Sequence, residues 1–307
     1  MARRSARDER IHGILNLHKP SGPSSHDCVS RCRRTFGTRR VGHAGTLDPL
    51  ASGVLIVGIG SGTRILELLQ AQPKRYRAEL CLGLETDTQD ITGQTLSEGD
   101  ASHVDEASLV RELLGFLGEQ LQLPPMYSAL KHAGRPLYEL AREGEEVERE
   151  PRLIGIDRIA CTRFTPGPRA TAELLLTCTS GTYVRTLCHD LGRRLGCGGT
   201  MAALVREAVG SFELTDAVPL EELSVDTPLL PLAEAIPWLP AFRVTDDEFQ
   251  ALFMGQRVPA GEGESAPVVR ILNRCGKLVA LGASHRVDGQ TLLSPKKVFA
   301  SLNGHSD

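Results

Sequence analysis

The chain has 307 residues, 41% hydrophobic and 24% charged, with a formal net charge of −3. That length suits about two domains and buries a core without disulfides or metal. Aromatics are only 4%, which argues against a broad base-stacking platform, and the near-neutral total charge argues at first against a nucleic-acid partner. The distribution reverses that. Residues 1–80 hold 14 Lys/Arg against 6 Asp/Glu, 81–150 hold 5 against 15, 151–210 hold 8 against 4, and 211–307 hold 8 against 13. A polyanion is drawn to the first and third blocks, because local potential outweighs net charge.

Residues 1–10 read as a flexible basic arm. No apolar stretch follows it, so it is not a secretory signal, and no run of 18 apolar residues marks a membrane span. Gly13-Ile14-Leu15-Asn16-Leu17 alternates as a strand and ends at the turn-rich Lys19-Pro20-Ser21-Gly22-Pro23. Ser24 and Asp27 have capping-box spacing. Cys28, Val29, Cys32 and Phe36 then fall on one helical face, with Arg31, Arg33 and Arg34 off it and Arg39 and Arg40 following. Next comes Gly42-His43-Ala44-Gly45-Thr46-Leu47-Asp48-Pro49-Leu50-Ala51-Ser52-Gly53, leading into a buried strand at 53–60. Gly58-Ile59-Gly60-Ser61-Gly62-Thr63 has the spacing of neither a Walker A loop nor a dinucleotide fingerprint, and reads as a tight strand-to-helix turn.

Further on, 63–69 reads as a helix, 76–82 as a strand, 85–94 as a polar loop and 109–117 as a helix broken by Pro124-Pro125. A short helix follows at 136–142, strands at 154–161 and 170–178, and a helix at 182–195 with Gly196 as its cap. The irregular interleaving implies an α+β fold. Prolines at 219, 228, 231, 237 and 240 mark a linker over 219–241, and 242–307 reads as a small, mostly β module. The catalytic unit is expected over 11–218. The eight scattered cysteines form no C-x-x-C pair, so reduced, mostly buried thiols and a cytoplasmic protein are expected.

Asp48 is the first chemical candidate. Pro49 biases it toward an extended conformation that presents its carboxylate at a loop tip, while Gly42 and Gly45 permit close backbone approach. The competing reading is an Asp-Pro turn. Arg185, in Gly181-Thr182-Tyr183-Val184-Arg185, is either a surface cation or a partner that keeps a carboxylate ionised in a water-poor site. Tyr76 lies among Lys74, Arg75 and Arg77, a setting for stacking on a base beside phosphates as well as for an ordinary strand tyrosine. His43, between glycine and alanine, either protrudes toward a nucleotide or is merely solvated. Lys19 either contacts phosphate or orients its loop.

Taken together, five blocks resemble the TruB-type tRNA pseudouridine synthases: the Lys19-Pro20-Ser21-Gly22 loop, 42–55, 74–93 with Thr86-Asp87-Thr88, 124–142 and 181–196. The resemblance covers roughly 11–210. Ala251-Leu252-Phe253-Met254-Gly255-Gln256 more weakly resembles the start of a PUA-like RNA-binding module. The family resemblance implies a mixed or antiparallel sheet in the catalytic domain, a PUA-like C-terminal module, a monomer, and isomerisation of the T-loop uridine at tRNA position 55. It implies Asp48 as catalytic aspartate, Tyr76 as the ring on the target uracil, Arg185 as the ion-pair partner of Asp48, and His43 as a contact to the T-loop. Lys19 matches a lysine of structural rather than chemical role, and Leu204 an apolar wall of the pocket. Breaking the N1–C1′ bond and rejoining the uracil through C5 involves no net redox change, so no cofactor or metal is expected. The alternative is a non-catalytic tRNA binder or folding chaperone on the same scaffold, which needs the basic surfaces but not Asp48. A glycosidase with paired carboxylates is set aside, since no second acid matches as partner for Asp48.

Overall fold

The computed structural model describes residues 11–260, 264–287 and 290–299. Its centre is a ten-stranded, mostly antiparallel sheet. The main strands run in the order Val218–Pro219, Gly13–Lys19, Ser52–Ile59, Gly199–Val209, Lys74–Leu82, Thr171–Cys178, Arg152–Thr165 and Gly118–Gln122. Strand Val41–Ala44 pairs with Ser52–Ile59, and Phe212–Glu213 with Gly199–Val209.

One strand edge creates the site. Ile56 to Ile59 pair with Val41–Ala44, whereas Ser52 and Gly53, on the same strand, pair in parallel with Val205 and Arg206. Where Ser52–Ile59 changes neighbour, the connection 45–51 bulges out of the sheet. Gly53 makes this junction possible. Its φ is +111°, and a Cβ there would lie 2.2 Å from the Arg206 carbonyl oxygen. Because that neighbour is backbone and cannot swing aside, Gly53→Ala is expected to lower stability by at least about 3 kcal/mol, measured by urea unfolding.

Helix Ser25–Phe36 carries the expected capping box between Ser24 and Asp27, and buries Cys28, Val29, Cys32 and Phe36 against Leu15, Leu17, Leu55 and Val57. Helices Glu106–Leu114 and Val184–Arg194 cover one face of the other half of the sheet, with Ala78, Leu80, Leu174 and Leu176 beneath them. The glycine-rich segment forms a 3₁₀ turn, Gly60–Ile65, that runs into helix Leu66–Gln70. All eight cysteines are free, and five of them are buried.

Gly199–Val209, for which the sequence reading names no element, is a central strand paired on both sides. Two stretches depart from that reading. The helix expected to reach 117 stops at Leu114, and Gly118–Gln122 becomes the edge strand against Arg152–Thr165. The proline-rich stretch is anchored to the large sheet at several points. Leu230 and Ile14 exchange backbone hydrogen bonds at 2.9 and 2.8 Å, and Leu223, Ala235 and Ile236 are buried.

Beyond it, a five-stranded sheet runs in the order Ala241–Arg243, Ala266–Leu272, Leu278–Val287, Gln290–Val298, Val258–Pro259, joined by helix Asp246–Phe253. Leu272, Leu278 and Leu281 share a core with Ile14, Val54, Ile56 and Ile65 of the large sheet. At the same junction the Arg64 guanidinium lies 4.7 Å from the centre of the Phe299 ring, and Lys297 pairs with Glu67 at 2.5 Å. The two units therefore meet through an apolar layer edged by cations.

Candidate active site

The 45–51 loop is held by its backbone. Gly45 adopts φ +90°, the left-handed region that favours glycine. Ser25 at the start of its helix donates to the Leu47 carbonyl at 2.9 Å and accepts from the Leu47 N–H at 2.8 Å. The Ala51 N–H closes a turn onto the Asp48 carbonyl at 3.1 Å. Gly22 N–H reaches the Pro49 carbonyl at 2.8 Å, and Ser21 Oγ reaches that of Leu50 at 3.0 Å. Lys19 Nζ donates to the carbonyls of Pro20, Pro49 and Ala51 at 2.9, 3.4 and 2.5 Å. Its three donors are thus all engaged, and the side chain is wholly buried. Lys19 therefore orients the loop and has no N–H left for a phosphate. Burial lowers its ammonium to about 8, against the opposing pull of Cys28 and Asp48.

Above this clamp the Asp48 side chain is about one-third exposed, at 35%, with Oδ2 3.2 Å from Arg185 Nη2. The pair is a single contact rather than a two-pronged fork. Arg185 Nη2 also donates to the Tyr127 carbonyl at 2.6 Å, and Nη1 to that of Thr88 at 3.4 Å. Nη1 lies 3.8 Å from Asp90 Oδ2. Asp90 is 5% exposed and accepts from the Thr92 N–H at 3.0 Å, Thr92 Oγ1 at 2.5 Å and Thr88 Oγ1 at 3.0 Å. The sequence reading singled out no second acid, and the structure supplies one. Asp90 does not open toward substrate beside Asp48 but anchors the far side of the same guanidinium.

Tyr76 is buried in the strand centre and shares an apolar cluster with Leu47, Ala51, Val184 and Leu204, against which Leu50 packs. Burial raises its phenol, with Arg206 opposing. Leu204 thus belongs to the same apolar wall as Tyr76. The period of two sends Arg75 and Arg77 to the opposite, solvent-facing side. There Arg75 pairs with Glu207 and Glu213, and Arg77 with Glu207 and Glu173. The cations flanking Tyr76 in sequence therefore do not flank it in space. Lys74, on the side of Tyr76, is buried and donates to the Gln70 and Gln72 carbonyls.

His43 does not protrude; it sits half-buried in strand Val41–Ala44. Burial, then Arg206 and His26, lower its imidazole from the ordinary value, which favours the neutral ring. The other residue that the sequence reading missed is Arg206, 1% exposed, whose guanidinium lies under the loop. A lone arginine in an alanine-rich segment gives no sequence signal of burial. Among the described residues no group of three His, Cys, Asp or Glu gathers as a metal site.

A loop-tip aspartate with an arginine counter-charge, beside a tyrosine and leucines on a mixed sheet, makes a candidate active site. The solved structure of an archaeal box H/ACA Nop10–Cbf5 complex matches with TM-score 0.69 at 24% identity, over 97% of this chain and 91% of that one. A Cbf5–Nop10–Gar1 complex matches with TM-score 0.70 at 26% identity, over 94% and 85%. The model of the TruB family pseudouridylate synthase N-terminal domain matches residues 33–184, and that of the tRNA pseudouridylate synthase B C-terminal domain matches 185–227. Proteins named tRNA pseudouridine synthase B are 41% identical in Heliobacterium modesticaldum, over 96% of this chain and 98% of that protein, and 43% identical in Moorella thermoacetica, over 94% and 99%. The chain belongs to the TruB family of pseudouridine synthases, and is an enzyme rather than a non-catalytic binder.

Proposed function

We propose that the chain isomerises the T-loop uridine of tRNA, position 55, to pseudouridine, with Asp48 as the catalytic group. The observation that carries this is the partly exposed Asp48 carboxylate, 3.2 Å from Arg185 and next to the Tyr76–Leu204 wall. A water-poor pocket keeps the detached uracil in place while it turns. The carboxylate attacks C1′, adds to the uracil ring or removes the 2′ proton; all three routes need it ionised beside a base packed on Tyr76. Extruding the stacked uridine costs a few kcal/mol, and we assign to the half-buried His43 a contact with the opened loop. We further propose a monomer in the cytoplasm, a compartment that eight free thiols suit. The test is to map pseudouridine in an unmodified tRNA transcript after treatment with the enzyme. One new pseudouridine in the T-loop is expected; a transcript modified only elsewhere overturns the assignment.

The docking surface follows from the same charges. Arg31, Arg34, Arg39 and Arg40 are exposed, on helix Ser25–Phe36 and the turn after it, and make no ion pair among the described residues. This contrasts with Arg75 and Arg77, which are neutralised. We assign stem phosphates of tRNA to the helix. Arg31→Glu combined with Arg34→Glu is expected to weaken tRNA binding by at least about tenfold and to flatten its salt dependence by one to two phosphate contacts. Turnover at saturating tRNA stays within about threefold. An unchanged Kd and salt slope place the phosphates elsewhere.

A further inference from the structure

Arg206 is among the largest fully buried side chains of the protein. A charge removed from water is costly unless satisfied, and among the described residues no acid pairs with this one. Its donors go to backbone instead. Nε reaches the Val54 carbonyl at 2.7 Å, Nη2 that of Gly45 at 3.0 Å and Nη1 that of Thr46 at 3.3 Å. The first lies in the strand leaving the loop, and the other two on the limb entering it. Its positive charge also opposes the upward push of burial on the Tyr76 phenol, on the neighbouring strand. Arg206 stands opposite Gly53 in one strand pairing and opposite Tyr76 in the other. The close approach that Gly53 permits brings this arginine under the loop.

Asp48 therefore lies between two cationic clamps. Lys19 holds the carbonyls of Pro49 and Ala51 on one side, and Arg206 holds those of Gly45 and Thr46 on the other. Only Arg206 also stands directly across a strand pairing from Tyr76, the ring that forms the opposing wall. We propose that Arg206 is a positioning residue for the isomerisation: one guanidinium sets the distance between the Asp48 carboxylate and the Tyr76 ring. The proposal rests on the assignment of Asp48 as the catalytic group. A shift of roughly 1 Å between reacting groups is worth about a hundredfold in rate, so a residue that touches no substrate atom controls turnover through geometry. Lysine cannot replace it, because one ammonium cannot span carbonyls on both limbs of the loop as the guanidinium fork does.

The test uses the full chain with Arg206→Lys, Arg206→Ala and Asp48→Asn, under single turnover on a T-stem-loop RNA, with RNA Kd and urea unfolding measured in parallel. Arg206→Lys is expected to fold and to bind RNA within about threefold of wild type, yet to lose at least about thirtyfold in rate. In Arg206→Ala, millimolar guanidinium chloride is expected to restore at least about tenfold of the lost rate, an equal concentration of urea much less, and neither restores Asp48→Asn. Arg206→Lys turning over within about threefold of wild type overturns the proposal. So does a loss of rate matched by an equal loss of RNA affinity, or a folded Arg206→Ala that guanidinium leaves unrestored. If Arg206→Ala does not fold, Arg206→Lys decides alone. Normal turnover by Asp48→Asn overturns the Asp48 assignment instead, independently of the arginine variants.

Discussion

Asp48→Asn is expected to abolish pseudouridine formation, by at least about 10⁴-fold in single-turnover rate, while tRNA binding stays within about tenfold. The size follows from chemistry: the amide has no negative charge with which to attack, add or accept a proton, and each decade corresponds to about 1.4 kcal/mol of barrier. The separation of rate from binding follows from how the loop is built. Lys19, Ser21, Ser25 and Arg206 all grip backbone atoms of 45–51. None of these contacts involves the Asp48 side chain, so an isosteric amide leaves the loop in place. Arg185 keeps Asp90, Tyr127 and Thr88 as partners. The unfolding midpoint in urea is therefore expected to match wild type. A variant that modified the tRNA transcript at a rate near wild type would remove Asp48 from the chemistry.

The parts legible in the sequence were those with strong local causes. The Ser24–Asp27 box, the buried face of the following helix, and the turn opened by Asp48-Pro49 each follow from a few neighbouring residues. Asp48 stood out because glycines and a proline surrounded it, and the fold gives that pattern a cause: the loop fills the gap where strand Ser52–Ile59 exchanges one partner for another. What escaped the sequence depends on contacts across the chain. Arg206 matters because strand Gly199–Val209 runs between Ser52–Ile59 and Lys74–Leu82, a placement that no local pattern in the sequence announces. Asp90 looked like one polar loop residue among several, because its burial is set by an arginine 95 positions away. The cations around Tyr76 misled for the opposite reason. Proximity in sequence suggested a shared surface, but the alternation of a strand separates neighbours onto opposite faces.

Arg185 should prove nearly as critical as Asp48, with a different signature. It is 6% exposed and stands between two carboxylates, one facing the pocket and one buried. Arg185→Met is expected to cut turnover by about 10³-fold and to cost roughly 3–5 kcal/mol of stability, since removing one partner strands a buried charge. Most of the stability loss belongs to Asp90, which is 5% exposed, rather than to Asp48, which still reaches solvent. Adding Asp90→Asn to Arg185→Met therefore returns much of the stability, because the stranded charge is gone. It returns none of the turnover, because Asp48 still lacks its counter-ion. Arg185→Lys keeps the charge but supplies a single nitrogen where Nη1 and Nη2 each serve a different carboxylate. It is expected to fold close to wild type and to remain impaired by about 10²-fold. Urea unfolding and single-turnover rates on the same three proteins separate the two roles of the arginine. If turnover returned together with stability in Arg185→Met/Asp90→Asn, Arg185 would be a structural tether for the Asp90 loop, and its contact with Asp48 would be incidental to the chemistry.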